Sequence, residues 1–161
     1  MKYVPRPGDY GVVRSHGIFA RLIQIGTLSR WNHNVIYIGD NVIVEANPKG
    51  VEIKVCHYDY TEIAWNKHER LTHAQRERIV EHALSTVGSN YNFWTIGLLA
   101  FRILGLKILT NIPLWEKLAT TKGFICSELV SECYRVAGHP VSKKDDYLVT
   151  PGDLAERLIY Q

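Results

Sequence analysis

The sequence predicts an α+β domain spanning residues 1–161, an antiparallel sheet packed against helices. Two observations predict it. Runs of β-branched and aromatic residues fill the first third of the chain, and apolar residues at helical spacing fill most of the second half. No repeat, low-complexity segment or linker separates the two blocks. Length agrees: 161 residues, 46% of them hydrophobic, can bury roughly two-thirds of the surface that the unfolded chain exposes.

Pro7-Gly8 turn the chain into a short strand, Asp9 to Arg14. Gly17 to Leu28 carries Ile18, Leu22, Ile25 and Leu28 at helical spacing, which predicts a first helix. The clearest β signal follows, His33 to Ile38, then Gly39-Asp40-Asn41 and a second run, Val42 to Ala46. Two such runs joined by Gly, Asp and Asn read as a hairpin. Pro48-Lys49-Gly50 turn again into Val51 to Val55, a third strand of the meander. Further on, Thr72 and Gln75 form a capping-box pair. Ile79, Val80, Ala83, Leu84 and Val87 then make an apolar face that stops at Gly88. Phe124 to Ala137 predicts a helix with Leu129, Val130, Cys133 and Ala137 on one side. Thr150-Pro151 opens the last helix, with the cap at Thr150.

Composition excludes several classes. Nineteen basic against sixteen acidic residues give a net charge of +3, interspersed rather than gathered in a stripe, so nucleic acid is not an expected partner. The N-terminus, Met-Lys-Tyr-Val-Pro-Arg-Pro-Gly, has no apolar run of the signal-peptide type. The expectation is a cytoplasmic protein, or one released without a signal peptide. Trp94 to Leu109 is interrupted by Arg102 and Lys107 and falls short of the ~20 residues that span a bilayer. Three cysteines without a ligand box predict neither a disulfide framework nor a structural metal. No cofactor is expected.

Chemistry concentrates at Cys126, at or near the start of the predicted 124–137 helix. There the positive end of the helix dipole favours a thiolate, and the first-turn N–H groups lack helical partners and can receive an oxyanion. The competing reading makes Cys126 the first core residue of an apolar face, since free cysteine is often buried. His33 opens a strand otherwise built from Val, Ile and Tyr, and Glu45 sits inside another apolar run. If Gly39-Asp40-Asn41 is a three-residue loop, Ile38 pairs with Val42 and Val35 with Glu45. His33 and Glu45 then share a face as diagonal neighbours. A two-residue Asp40-Asn41 turn would send Glu45 to the other face. In the first register Asn47 lies opposite His33 and is the rival orienting residue.

Four segments in this order also resemble a known family: His33-Asn34-Val35-Ile36-Tyr37-Ile38-Gly39 with Val44-Glu45-Ala46 and Gly50-Val51; Gly88-Ser89-Asn90-Tyr91; Cys126-Ser127-Glu128-Leu129-Val130; and Thr150-Pro151-Gly152-Asp153-Leu154. They look like the circularly permuted papain-like hydrolases, relatives of NlpC-type cell-wall peptidases and of the lecithin retinol acyltransferase family. The histidine precedes the cysteine, as in the permuted arrangement. The resemblance implies a permuted papain-like fold with the nucleophile at a helix N-terminus. It implies Cys126 as nucleophile, His33 as general base and then acid, and Glu45 as the group orienting the imidazole. Tyr91 and the Cys126 N–H would serve the oxyanion. The implied substrate is a peptide amide, bacterial cell-wall peptide foremost, with a lipid-linked small substrate as the alternative. A lipid-directed acyltransferase or thioesterase and a non-catalytic binding module are the rival readings.

Other residues carry less. His57, His68, His73, His82 and His139 read as solvated; His16 is likewise a weak candidate, with lining a cleft as its minority reading. Cys133 lies two helical turns from Cys126 and reads as core. Cys56 ends a strand. The apolar stretch 93–118 reads as buried helix; its rival roles are a lid, an acyl groove or a membrane-contacting patch.

Overall fold

Residues 3–27, 29–59, 61–67, 70–92 and 123–159 are described by a computed structural model. The apolar stretch 93–118 therefore lies outside the described residues, as do Leu28 and His68. The chain is α+β. Its strands are β1 (Tyr10–Val13), β2 (His33–Gly39), β3 (Val42–Asn47), β4 (Gly50–Val55) and β5 (Ile63–Trp65). They form one antiparallel sheet in the order β4-β3-β2-β1-β5. The helices are α1 (Ile18–Thr27), α2 (His73–Ser85), α3 (Cys126–Val136) and α4 (Pro151–Ile159). Strand β5 carries too few alternating residues to stand out in the sequence. Among the described residues no helix is long and apolar enough to cross a membrane.

Alternation sends successive strand residues to opposite faces. One face, with Val12, Ile36 and Val44, packs on Ile79 and Ala83 of α2 and on Leu129, Val130 and Cys133 of α3. The other gathers Val13, Val35, Ile43 and Ile63 with Tyr37, Tyr58 and Trp65. Thr72 and Gln75 exchange the expected capping-box bonds at the start of α2. Thr150 Oγ1 accepts from the Asp153 N–H, and Asp153 in turn accepts from the Thr150 N–H, at the start of α4. Two apolar faces are narrower than their spacing predicts. Leu84, Val87 and Ile25 are exposed, because α2 buries only the Ile79–Ala83 stripe and Ile25 points outward from α1.

The β2–β3 hairpin departs from the predicted loop in an instructive way. Its turn is the two-residue Asp40-Asn41, both at positive φ (47° and 60°), with Gly39 rather than Ile38 opposite Val42. A register shift between Tyr37 and Gly39 absorbs the extra residue, so Val35 still faces Glu45. The bulge thus cancels the face inversion that a two-residue turn would impose.

A second local feature positions Tyr91. Gly50 sits at φ +118°, and a Cβ there would come 2.6 Å from the Ser89 carbonyl oxygen. That approach lets the Val51 N–H donate to the Ser89 carbonyl (2.9 Å) and the Gly88 N–H to the Val51 carbonyl (2.9 Å). The chain after α2 then pairs Tyr91 in parallel with Phe124, two residues before Cys126.

Candidate active site

Cys126 is the first residue of α3 and is 3% exposed. The Ile125 N–H donates to the Glu128 carboxylate at 3.2 Å, which caps the helix directly before the cysteine. Ser127 donates to the Val149 carbonyl at 2.5 Å, tying the same turn to the approach of α4. The amphipathic pattern of α3 buries Leu129, Val130 and Cys133 against the sheet and so fixes where its N-terminus points.

His33 opens β2 opposite Val13, with its side chain 13% exposed. Its Nε2 is 2.9 Å from Oε2 of Glu45, and its ring lies close enough to Cys126 to interact with it electrostatically. With Nε2 engaged by Glu45, Nδ1 is the ring nitrogen that pair leaves unused. Burial acts to discharge the ring. The hydrogen bond and charge of Cys126, and then those of Glu45, outweigh it and raise His33 from the ordinary 6.5 to about 10.

Glu45 is buried and fully engaged. Oε2 accepts from His33 and from the Tyr58 hydroxyl (3.1 Å); Oε1 accepts from Lys54 Nζ (2.8 Å) and Asn47 Nδ2 (3.2 Å). Burial opposes its charge, but the hydrogen bonds and charges of His33 and then Lys54 hold the carboxyl well below the ordinary 4.5. Lys54 also lies 3.1 Å from Glu52, which accepts from Asn47 as well (3.0 Å). Asn47, the rival orienting residue, therefore donates to the two carboxylates and not to His33.

Tyr91 is half-buried. Burial, and then the charge of Cys126, keep its hydroxyl protonated far above its ordinary 10, which places it in the electrostatic neighbourhood of the sulfur. The structure thus pairs His33 directly with Glu45, and Cys126 interacts electrostatically with both His33 and Tyr91. His16 does line a cleft, with Arg14 and Arg21, but its side chain is mostly exposed. His82 is not simply solvated: it pairs with Glu132 at 3.0 Å between α2 and α3. His57 stacks on Tyr58 with ring centres 4.4 Å apart. Cys133 is core, and burial pushes its thiol up.

Lys54 and Tyr58 are the two site residues that sequence reasoning missed. For Lys54 a signal existed. Extending the meander puts Glu52 directly opposite Glu45, an unfavourable like-charge pair unless a cation shares the face. Lys54, two residues along β4, is that cation. Tyr58 follows the strand in an irregular segment and has no periodic signature.

No family model matches the chain. It is 25% identical to the probable lipoprotein peptidase YaeF of Escherichia coli (strain K12), across an alignment of 181 positions covering 96% of this chain. The chain spans 64% of that relative's length.

Proposed function

We propose that this chain is a cysteine hydrolase of the permuted papain-like type, cleaving an amide bond in a peptide. The observation that carries this reading is the His33–Glu45 pair at 2.9 Å in the electrostatic reach of Cys126, with the cysteine opening a helix. The order of histidine before cysteine supports the permuted arrangement. The similarity to a protein named as a probable lipoprotein peptidase supports a peptide-bond substrate; the resemblance points to cell-wall peptide.

In this mechanism the Cys126 thiolate attacks the scissile carbonyl carbon, forming the S–C bond and moving the carbonyl π electrons onto oxygen. The Cys126 N–H and the Tyr91 hydroxyl stabilise that oxyanion. On collapse the C–N bond breaks, its electron pair stays on nitrogen, and His33 delivers its proton to the departing amine. Neutral His33 then takes a proton from water, whose oxygen attacks the thioester. The S–C bond breaks, and the carboxylic product leaves a thiolate beside a protonated ring. Glu45 holds the imidazole orientation throughout and stabilises the positive charge whenever the ring is protonated.

The test is an electrophilic peptide-mimicking probe, with the modified residue located by mass spectrometry, alongside hydrolysis of cell-wall peptide fragments. The adduct is expected on Cys126, with hydrolysis lost in Cys126→Ala. An adduct on Cys56 alone, or hydrolysis retained in Cys126→Ala, overturns the reading.

A further inference from the structure

We propose that Lys54 and Tyr58 are positioning residues of this site: together they fix both oxygens of Glu45, and Lys54 offsets enough of its charge for His33 to release a proton to the leaving group. The inference rests on the hydrolase reading above. It comes from geometry. Lys54 Nζ takes Oε1 at 2.8 Å and the Tyr58 hydroxyl takes Oε2 at 3.1 Å, the same oxygen that faces His33 at 2.9 Å. The Tyr58 ring also sits against the His33 ring, with centres 6.4 Å apart. A carboxylate held from both sides cannot rotate away from the imidazole.

The charge argument gives Lys54 a second task. His33 is faced by Cys126 from α3 and Glu45 from β3, both of which favour its protonated form. A ring held protonated too firmly is a poor acid for the departing amine. Lys54 is the cation behind Glu45, itself shared with Glu52, while Asn47 donates to both carboxylates. Its positive charge weakens the pull of Glu45 on the ring. The sign is unusual for a supporting residue. Removing Lys54 leaves His33 more basic, not less.

The experiment follows the His33 imidazole by NMR in the 15N-histidine-labelled 161-residue chain, assigned by the signal lost in His33→Gln. Cys126→Ala first brings the His33 midpoint down from the wild-type value; failure to do so sinks the hydrolase reading itself. In that Cys126→Ala background, Lys54→Met should raise the midpoint by about half a unit to one unit, the size expected for one partly screened charge. Lys54→Arg should restore it, and Tyr58→Phe should raise it by less. A midpoint unchanged or lowered by Lys54→Met, in a variant whose circular dichroism matches the parent, overturns the inference while leaving the hydrolase reading intact. Should Lys54→Met not fold, an unchanged or lowered midpoint in Tyr58→Phe overturns it.

Discussion

Tyr58 and His33 converge on one oxygen of Glu45, at 3.1 and 2.9 Å, while Lys54 and Asn47 occupy the other. Every strong acceptor direction of this carboxylate is therefore spoken for by a donor. Such a group is costly to disturb, because each donor loses its partner when the charge goes.

Glu45→Gln should accordingly lower turnover roughly a hundredfold or more, the scale on which loss of an orienting carboxylate acts in comparable triads. Asn47→Ala removes one hydrogen bond from Glu45 and one from Glu52 without touching His33, so its effect should stay within about tenfold. Steady-state kinetics on the same peptide amide decides between them. Full activity in Glu45→Gln would remove it from the mechanism.

Stability should carry the same signature in pH. His33 is raised from 6.5 to about 10, so its contribution is complete below 6.5 and is lost as pH climbs toward 10. Glu45 is depressed below 4.5, so its contribution is complete above 4.5 and fades in acid. The two overlap fully between 4.5 and 6.5. The destabilisation of Glu45→Gln, about 3 kcal/mol for breaking a buried pair, should peak in that window and shrink on either side. Urea titrations across pH 3 to 10 measure it (a range set by the ~2–3 units that bracket these transitions). A flat difference would mean that the pair is not charged in the folded state.

The hairpin and the helix starts were legible in the sequence because each is a local rule. Alternation marks β2 and β3, Thr72 with Gln75 marks a cap, and Thr150-Pro151 marks another. The turn was not, because Gly39-Asp40-Asn41 suits two loop lengths, and only the bulge near Ile38 reconciles the shorter one with Glu45 facing His33. Lys54 required carrying that register across a third strand. Tyr58 depends on an irregular segment whose path is set by tertiary packing, beyond any periodic pattern.

Asn34 offers a test on the other face of β2. It is fully buried, and among the described residues neither polar atom of its side chain has a hydrogen-bond partner. An unsatisfied buried amide costs about 1–3 kcal/mol. Asn34→Val replaces it with an apolar group of good strand propensity and should raise stability by about 1 kcal/mol or more. Thermal unfolding reads it. A loss of stability would show that the amide makes a bond in solution that the valine forfeits.

The three cysteines separate accessibility from reactivity. Cys56 is half-buried, whereas Cys126 is 3% exposed and Cys133 fully buried. Exposure alone ranks Cys56 as the first to react with iodoacetamide. Burial, however, pushes the thiols of both Cys56 and Cys133 up, and the negative charge of Glu45 adds to this at Cys56, so neither offers much thiolate at pH 6. Cys126 instead opens helix α3, beside the His33 ring. Brief alkylation at pH 6 followed by peptide mapping should therefore label Cys126 first, against the order of exposure. His33→Ala removes the paired positive charge and should slow labelling of Cys126 without changing that of Cys56. Labelling led by Cys56 would mean that exposure governs, and would return Cys126 to a core residue at the start of an apolar helix face.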